Sequence, residues 1–234
     1  FGINFNLIYF VAIKKFKAAF KSEELRWYLI IIFASAIAIS FNILPLYHSI
    51  FEAFRYAIFQ VGSIITTTGY VTADYGQWPL FSQTILVLLM FVGACAGSTG
   101  GGMKVSRIII GVKSAVAEMK HMLHPHSVVS VVFEGKHLSL STLNNIHVYW
   151  VLYFLLFGLS FLFVSLQNID FTSAFSAVAT CFNNVGPGLG VVGPTGNFSG
   201  LTDMSKIVLS LDMLAGRLEI FPLLMFFSRS LWKK

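Results

Sequence analysis

Two short polar segments constrain this chain more than anything else in it. Thr66-Thr67-Thr68-Gly69-Tyr70 ends an apolar-rich stretch, His48 to Ile65, that is too short and too interrupted to be an ordinary membrane span. Hydroxyls, a glycine and backbone carbonyls at membrane depth are tolerated only where they line water or an ion path. A counterpart follows 117 positions later. Asn183-Asn184-Val185-Gly186-Pro187 matches in register, placing Gly69 on Gly186, Phe54 on Phe171 and Ala57 on Ala174. An internal duplication around a glycine-centred loop is an organising signal. It reads as two segments of an ion selectivity filter.

The rest of the chain supplies the membrane context. It is 56% hydrophobic and only 11% charged, where a soluble domain carries about 25% charged residues. That identifies an integral membrane protein. Thirteen of the 16 Lys and Arg fall in three clusters, Lys14 to Arg26, Lys104 to Lys136 and Arg229 to Lys234. The positive-inside rule makes these cytoplasmic, so both polar loops enter from the opposite face. No aromatic-interleaved basic face accompanies the net charge of +6, which argues against nucleic acid as a partner. Cys95 and Cys181 lie in apolar segments and read as buried small hydrophobes rather than a disulfide. No charged leader or cleavage site stands at the start. Phe1 to Phe10 resembles the tail of a helix, so the chain is expected to lack its natural beginning.

Read in order, residues 1–21 form the end of a preceding transmembrane helix. A first unit, 22–120, opens with the span Leu25 to Leu44, whose twenty residues rise roughly 30 Å, the thickness of a hydrocarbon core. Pro45 ends it. Ser49-Ile50-Phe51-Glu52 reads as a capping box, starting a short helix to about Ile64 whose negative carboxyl end faces the polar loop and suits a cation. From Leu80 an apolar helix descends to Val92, too short to cross a bilayer. It runs into Gly93-Ala94-Cys95-Ala96-Gly97-Ser98-Thr99-Gly100-Gly101-Gly102. Five glycines and two hydroxyl residues cannot continue a stable helix at low cost. Broken backbone at that depth borders a cavity, and a mobile constriction built on Gly93, Gly97, Gly100, Gly101 and Gly102 is the functional reading; a passive hinge is the alternative. A phosphate-binding loop is excluded, because Met103 separates Gly102 from Lys104 and no strand precedes it.

Val105 to Lys120 continues as a helix into a connector, 121–143, that carries His121, His124 and His126 around Pro125. Pro125 breaks their helical spacing, so a solvated loop is expected rather than a metal site. Val128 to Phe133 and Glu134-Gly135-Lys136 resemble a strand and turn. The second unit, 144–234, repeats the first. Ile146 to Leu166 spans, with Tyr149, Trp150 and Tyr153 read as an interfacial belt. Asp170 caps a short helix, Phe171 to Cys181, and the last span runs from Met204 to Phe227. An intramembrane arginine is expensive and functional by default. Arg217 is expected to project into the cavity, bond carbonyls of the 93–102 loop and set an electrostatic barrier. The competing reading is an ion pair with Asp212 or Glu219.

These motifs resemble the TrkH/TrkG/KtrB superfamily of potassium transporters. The stretches that carry the resemblance are Thr66 to Tyr70, Gly93 to Lys104, Asn183 to Gly190, and Gly216-Arg217-Leu218-Glu219-Ile220-Phe221. The resemblance implies an all-α integral membrane fold of helix–pore-loop–helix repeats, of which this chain holds the third and fourth tandem repeats. The first two lie in a missing N-terminal half. It also implies K+ uptake through a central pore, with backbone carbonyls of Thr67, Thr68, Gly69, Asn184, Val185 and Gly186 binding K+. The gate would be the 93–102 loop with Arg217. The resemblance further implies a homodimer in the lipid of a bacterial inner membrane, docked on a TrkA-like cytoplasmic gating ring. A nucleotide (ATP/ADP or NAD) is expected on that ring only, and no cofactor on this chain. Alternatives are a Na+- or H+-coupled symporter and a non-conducting scaffold for a soluble partner. An enzyme is not expected, since no catalytic constellation is present.

Overall fold

The computed structural model describes residues 2–125, 130–218 and 220–226. Among the described residues its regular structure is helical apart from one small hairpin. Two short helices, α1 (Phe5–Ala12) and α2 (Phe16–Phe20), lead into α3 (Glu23–Ile43), which continues through a single 3-10 turn over Leu44–Leu46. The turn carries Pro45, as expected of a residue that cannot extend a helix. Ser22 opens α3 by accepting the Leu25 N–H at 3.3 Å. The short α4 (Ile50–Ile65) follows, capped by Ser49, whose hydroxyl accepts the Phe51 N–H. Then come α5 (Leu80–Val92), a non-helical break, and α6 (Val105–Leu123). The break falls where the glycines predict it.

The hairpin β1 (Val132–Phe133) and β2 (Lys136–His137) turns on Glu134 and Gly135, both with positive φ. His126 and the first residues of the expected strand, Val128 and Val129, lie outside the described residues. The second unit is α7 (Leu140–Ser165), the short α8 (Phe171–Phe182), α9 (Asp203–Leu218) and α10 (Ile220–Phe226). Helix α7 begins six residues before the apolar pattern does. Its polar first turns are held by Ser139, which accepts the Thr142 N–H. Asp170 caps α8 through the Ser173 N–H at 2.9 Å.

Each unit wraps its own apolar core around its short helix. Tyr28, Ala36 and Ile39 of α3 meet Ala53, Ala57 and Val61 of α4 and Leu86 and Met90 of α5. Tyr153 and Phe157 of α7 meet Ala174, Ala177 and Phe182 of α8 and Leu209 of α9. The alanines that match in register sit at the contacts, because small side chains let helices approach closely where lipid supplies no hydrophobic drive. The units are joined by exchange. Val185 and Leu189 of the second loop pack into the first core, and Met103 of the break packs into the second.

One expectation is corrected. Tyr149 and Tyr153 are buried, not displayed as a belt. The Tyr153 hydroxyl donates to Asn183 Oδ1 at 2.7 Å, and the Arg107 guanidinium lies 4.1 Å from the Tyr149 ring. Trp150 packs edge-on against Gly111, where a β-carbon would fall 2.4 Å from the indole. Burial of α7 on this face was not readable from a helix that is apolar all round. Its lipid-suited face is Phe154, Leu155, Leu159 and Leu162, all exposed. Helices α3 and α7 are long and apolar enough to cross a membrane.

Candidate functional site

Both polar loops are helix terminators of one design. Helix α4 ends with Thr67 N–H donating to the Ile64 carbonyl (3.0 Å) and Thr68 N–H to the Ser63 carbonyl (2.9 Å). Helix α8 ends with Asn184 N–H donating to Cys181 (3.1 Å) and Val185 N–H to Thr180 (2.9 Å). This pair of bonds is the Schellman closure, which requires a left-handed residue just past the helix. Glycine is usual there, but Thr67 (φ 53°) and Asn184 (φ 57°) occupy it here. A β-branched residue in that region is a conformational outlier. Two residues on, Gly69 (φ 77°) and Gly186 (φ 111°) are positive again.

A second duplicated bond fixes the exit of each loop. Ser63 Oγ donates to the Tyr70 carbonyl at 2.6 Å, and Thr180 Oγ1 donates to the Pro187 carbonyl at 3.3 Å. Sequence reasoning missed these hydroxyls, although Ser63 and Thr180 share the register of the duplication. Between the two anchors the backbone oxygens are left over. Among the described residues, no hydrogen bond is donated to the carbonyls of Thr67, Thr68, Gly69, Asn184, Val185 or Gly186. The loops touch each other at Gly69. A β-carbon on Gly69 would lie 2.2 Å from the Val185 carbonyl oxygen, so only glycine fits there.

The glycine break lies against both loops. Gly101 N–H donates to Thr67 Oγ1 at 3.1 Å, and a β-carbon on Gly101 would fall 2.4 Å from the Asn183 carbonyl. Gly100 has Ala94 at its back and the Thr66 carbonyl within van der Waals reach. Gly93 and Gly102 face each other at the neck where the break begins and ends, both with positive φ. Gly97 stands apart, packed on Asn4, with its carbonyl accepting the Phe5 N–H. The five glycines therefore do different jobs, and Gly100 and Gly101 are the two in contact with the polar loops.

Arg217 reaches the same place from α9. Gly216 makes this possible: a β-carbon there would collide with the Phe182 carbonyl, so α9 passes directly over the end of α8. Asn184 Nδ2 ties the second loop to α9 through the Met213 carbonyl at 3.1 Å. The guanidinium Nη1 of Arg217 donates to the carbonyl of Thr99 in the break. Asp212 instead is buried and accepts the Ser160 hydroxyl at 2.6 Å, so it is not the arginine's partner; Glu219 lies outside the described residues. Thr66, Thr67, Thr68, Tyr70, Thr99, Asn184 and Arg217 line one cavity of about 570 Å³. No cluster of His, Cys, Asp or Glu fit for a metal ion occurs among the described residues, and Cys95 and Cys181 are buried free thiols.

Duplicated loops with spare carbonyls, a glycine break beneath them and an arginine across the cavity make a compound pattern that can be compared with known proteins. The family pattern described as "TrkH: Cation transport protein" matches residues 6–234. This chain belongs to the TrkH family. It is 41% identical over 187 residues to the Trk system potassium uptake protein TrkH of Vibrio parahaemolyticus, covering 80% of this chain and 38% of that protein. Against TrkH of Salmonella typhimurium it is 34% identical over 239 residues, covering 100% of this chain and 48% of the relative. The crystal structure of the potassium transporter TrkH from Vibrio parahaemolyticus superposes with a TM-score of 0.89 at 36% identity, over 99% of this chain and 50% of that one. The chain thus spans about half the length of the curated TrkH relatives it matches. The fold is that of an all-α membrane transporter, built here from two tandem helix–loop–helix units.

Proposed function

We propose that the TrkH-family transporter containing this chain takes up K+ through a filter to which this chain contributes Thr67, Thr68, Gly69, Asn184, Val185 and Gly186. The observation that carries the reading is the set of backbone oxygens left without donors in two loops of matching geometry. Carbonyl rings replace the hydration shell of a monovalent cation, and the carboxyl ends of α4 and α8 add partial negative charge at the same point. Two further loops from the other half of the transporter complete the ring.

Below the filter, the break at 93–102 is the gate, with Thr99 held by Arg217. The guanidinium places a fixed positive charge beside the ion path. Opening is controlled by a cytoplasmic nucleotide-binding ring of the TrkA kind that binds ATP/ADP or NAD, docked on a homodimer in the inner membrane. With one glycine per loop, the filter holds fewer ordered sites than a K+ channel and excludes Na+ less strictly. The test is Rb+ uptake by the complete transporter in an uptake-deficient host. Gly69→Ser abolishes selective uptake while the protein still inserts. Retained selectivity refutes the filter assignment.

One observation favours a second, coupled mode. Asp212 Oδ2 is buried with no hydrogen-bond partner among the described residues. If Na+ or H+ is co-transported, Asp212→Asn removes the dependence of Rb+ uptake on that ion. Unchanged dependence excludes this residue from coupling.

A further inference from the structure

The break at 93–104 is held from outside the pore by a residue that neither the filter nor Arg217 involves. Glu24, in the first turn of α3, is buried, and a single oxygen, Oε1, accepts the Ala96 N–H at 2.7 Å and the Ser106 N–H at 3.1 Å. Ala96 lies inside the break and Ser106 in the first turn of α6. One carboxylate therefore pins the loop to the helix that leaves it. Bonds from N–H groups to an ionised carboxylate are the strong kind, and a buried carboxylate depends on them.

The start of α3 is itself held by a second carboxylate. Glu134, at the tip of the hairpin, accepts the Ser22 hydroxyl at 2.7 Å and the Glu24 N–H at 3.0 Å, both through Oε1. Lys113 of α6 completes the junction: its ammonium donates to the Val132 carbonyl at 2.8 Å and pairs with Glu23 at 2.5 Å. The hairpin tip, Ser22, Glu24 and Arg26 border a cavity of about 870 Å³. Polar ties therefore fix the hairpin tip to the start of α3, beside Phe133, which packs against the first core.

We propose that Glu134 and Glu24 act in series as a latch: the hairpin holds the start of α3, and Glu24 holds the gate loop under the filter. Both are positioning residues for ion passage, and the proposal rests on reading the 93–102 loop as the gate. Any force that moves the hairpin withdraws Glu134 from α3 and slackens Glu24's hold on Ala96. A soluble partner seated on this exposed turn is one such force.

The test is Rb+ flux through the complete transporter at matched membrane expression, for Glu134→Ala, Glu24→Ala, Glu24→Gln and the double alanine variant. Glu134 is exposed and its replacement leaves the cores intact, so it is informative even if Glu24→Ala misfolds. The latch predicts a several-fold rise in flux for Glu134→Ala and about a tenfold rise for Glu24→Ala. The double variant rises no further than Glu24→Ala, because elements in series are not additive. Glu24→Gln keeps an acceptor oxygen and returns flux toward the parent value, which a purely electrostatic role would not allow. Unchanged or reduced flux in Glu134→Ala, or effects that multiply in the double variant, overturn the latch. Arg217→Ala in the same assay separates the two levels. If it changes flux while Glu134→Ala does not, the gate stands and the latch falls; if neither changes flux, both fall.

Discussion

Alanine at each of the two loop glycines should fail in different ways, although the loops are duplicates. At Gly69 the φ of 77° costs an L-residue about 1–2 kcal/mol. The larger effect is steric. The new β-carbon would start 2.2 Å from the Val185 carbonyl oxygen and must gain about 0.8 Å to reach the 3.0 Å that real β-carbons respect. A functional constellation tolerates displacements of about 0.5 Å, so the Val185 oxygen would leave the position proposed for it as an ion ligand. At Gly186 the φ of 111° is also unfavourable, yet nothing stands within 4 Å of the added carbon. The cost there is conformational, about 1–3 kcal/mol, and falls on stability. Gly69→Ala should therefore abolish K+ over Na+ discrimination with modest loss of thermal stability. Gly186→Ala should lower the melting temperature and yield, while the protein that inserts keeps its discrimination. Rb+ uptake competed by Na+, normalised to membrane protein, and melting in detergent read the two effects. Equal loss of selectivity in both variants would refute the argument, because the contact that distinguishes them would then be irrelevant.

Further outcomes follow from the same geometry. Arg217→Ala should raise flux. A unit charge at roughly 7 Å and an effective dielectric of about 20 is worth about 2 kcal/mol, an upper bound of about thirtyfold, and unchanged flux at normal expression would count against the barrier. Ser63→Ala and Thr180→Val each remove one clamp on a loop-exit carbonyl, worth about 0.5–1.5 kcal/mol. Each should weaken Na+ exclusion, the Ser63 variant more, since its bond is the shorter. Asp170 is held below the usual carboxylate range by its bonds from Ser173. Its capping contribution is therefore present above the unfolded carboxylate pKa and is lost as pH falls through the depressed folded value. The melting-temperature gap between parent and Asp170→Asn should close on acidification across that window; a gap that persists below it would show that charge is not what the cap uses.

The elements were legible wherever a local rule decides them. The Leu80–Val92 helix and its end at Gly93 follow from an apolar run meeting five glycines. Asp170 and Ser49 announce the short helices because capping is read from neighbours in the chain. Arg217's contact with the break was legible because, with the two descending helices aligned, Arg217 falls at the depth of the glycine break. What sequence could not show depends on approach in space. Glu24 reads locally as an acidic first-turn residue, and its bonds to Ala96 and Ser106 lie 72 and 82 positions away. The burial of Tyr149 and Tyr153 is not legible because α7 offers no polar face to orient it. Ser63 and Thr180 were visible in the register but hidden by their chemistry, since a hydroxyl near a helix end bonds many possible carbonyls.

The strain at Thr67 and Asn184 links the proposed filter to the proposed gate. Glycine at these positions would relieve left-handed strain of about 1 kcal/mol and supply the residue such helix ends prefer. But Thr67 Oγ1 accepts the Gly101 N–H of the break, and Asn184 Nδ2 donates to the Met213 carbonyl four residues before Arg217. Each strained residue thus ties its loop to one side of the proposed gate, the first to the glycine break and the second to the arginine helix. On the proposed function, a filter so held would change shape when the gate moves, which a glycine-ended filter would not. Thr67→Gly and Asn184→Gly exchange that strain relief for a lost hydrogen bond worth about 0.5–1.5 kcal/mol, so they should leave the melting temperature nearly unchanged and make the protein less selective, with the loss of selectivity greatest under conditions that open the gate. Selectivity unchanged in every gating state would break the link between these side chains and coupling.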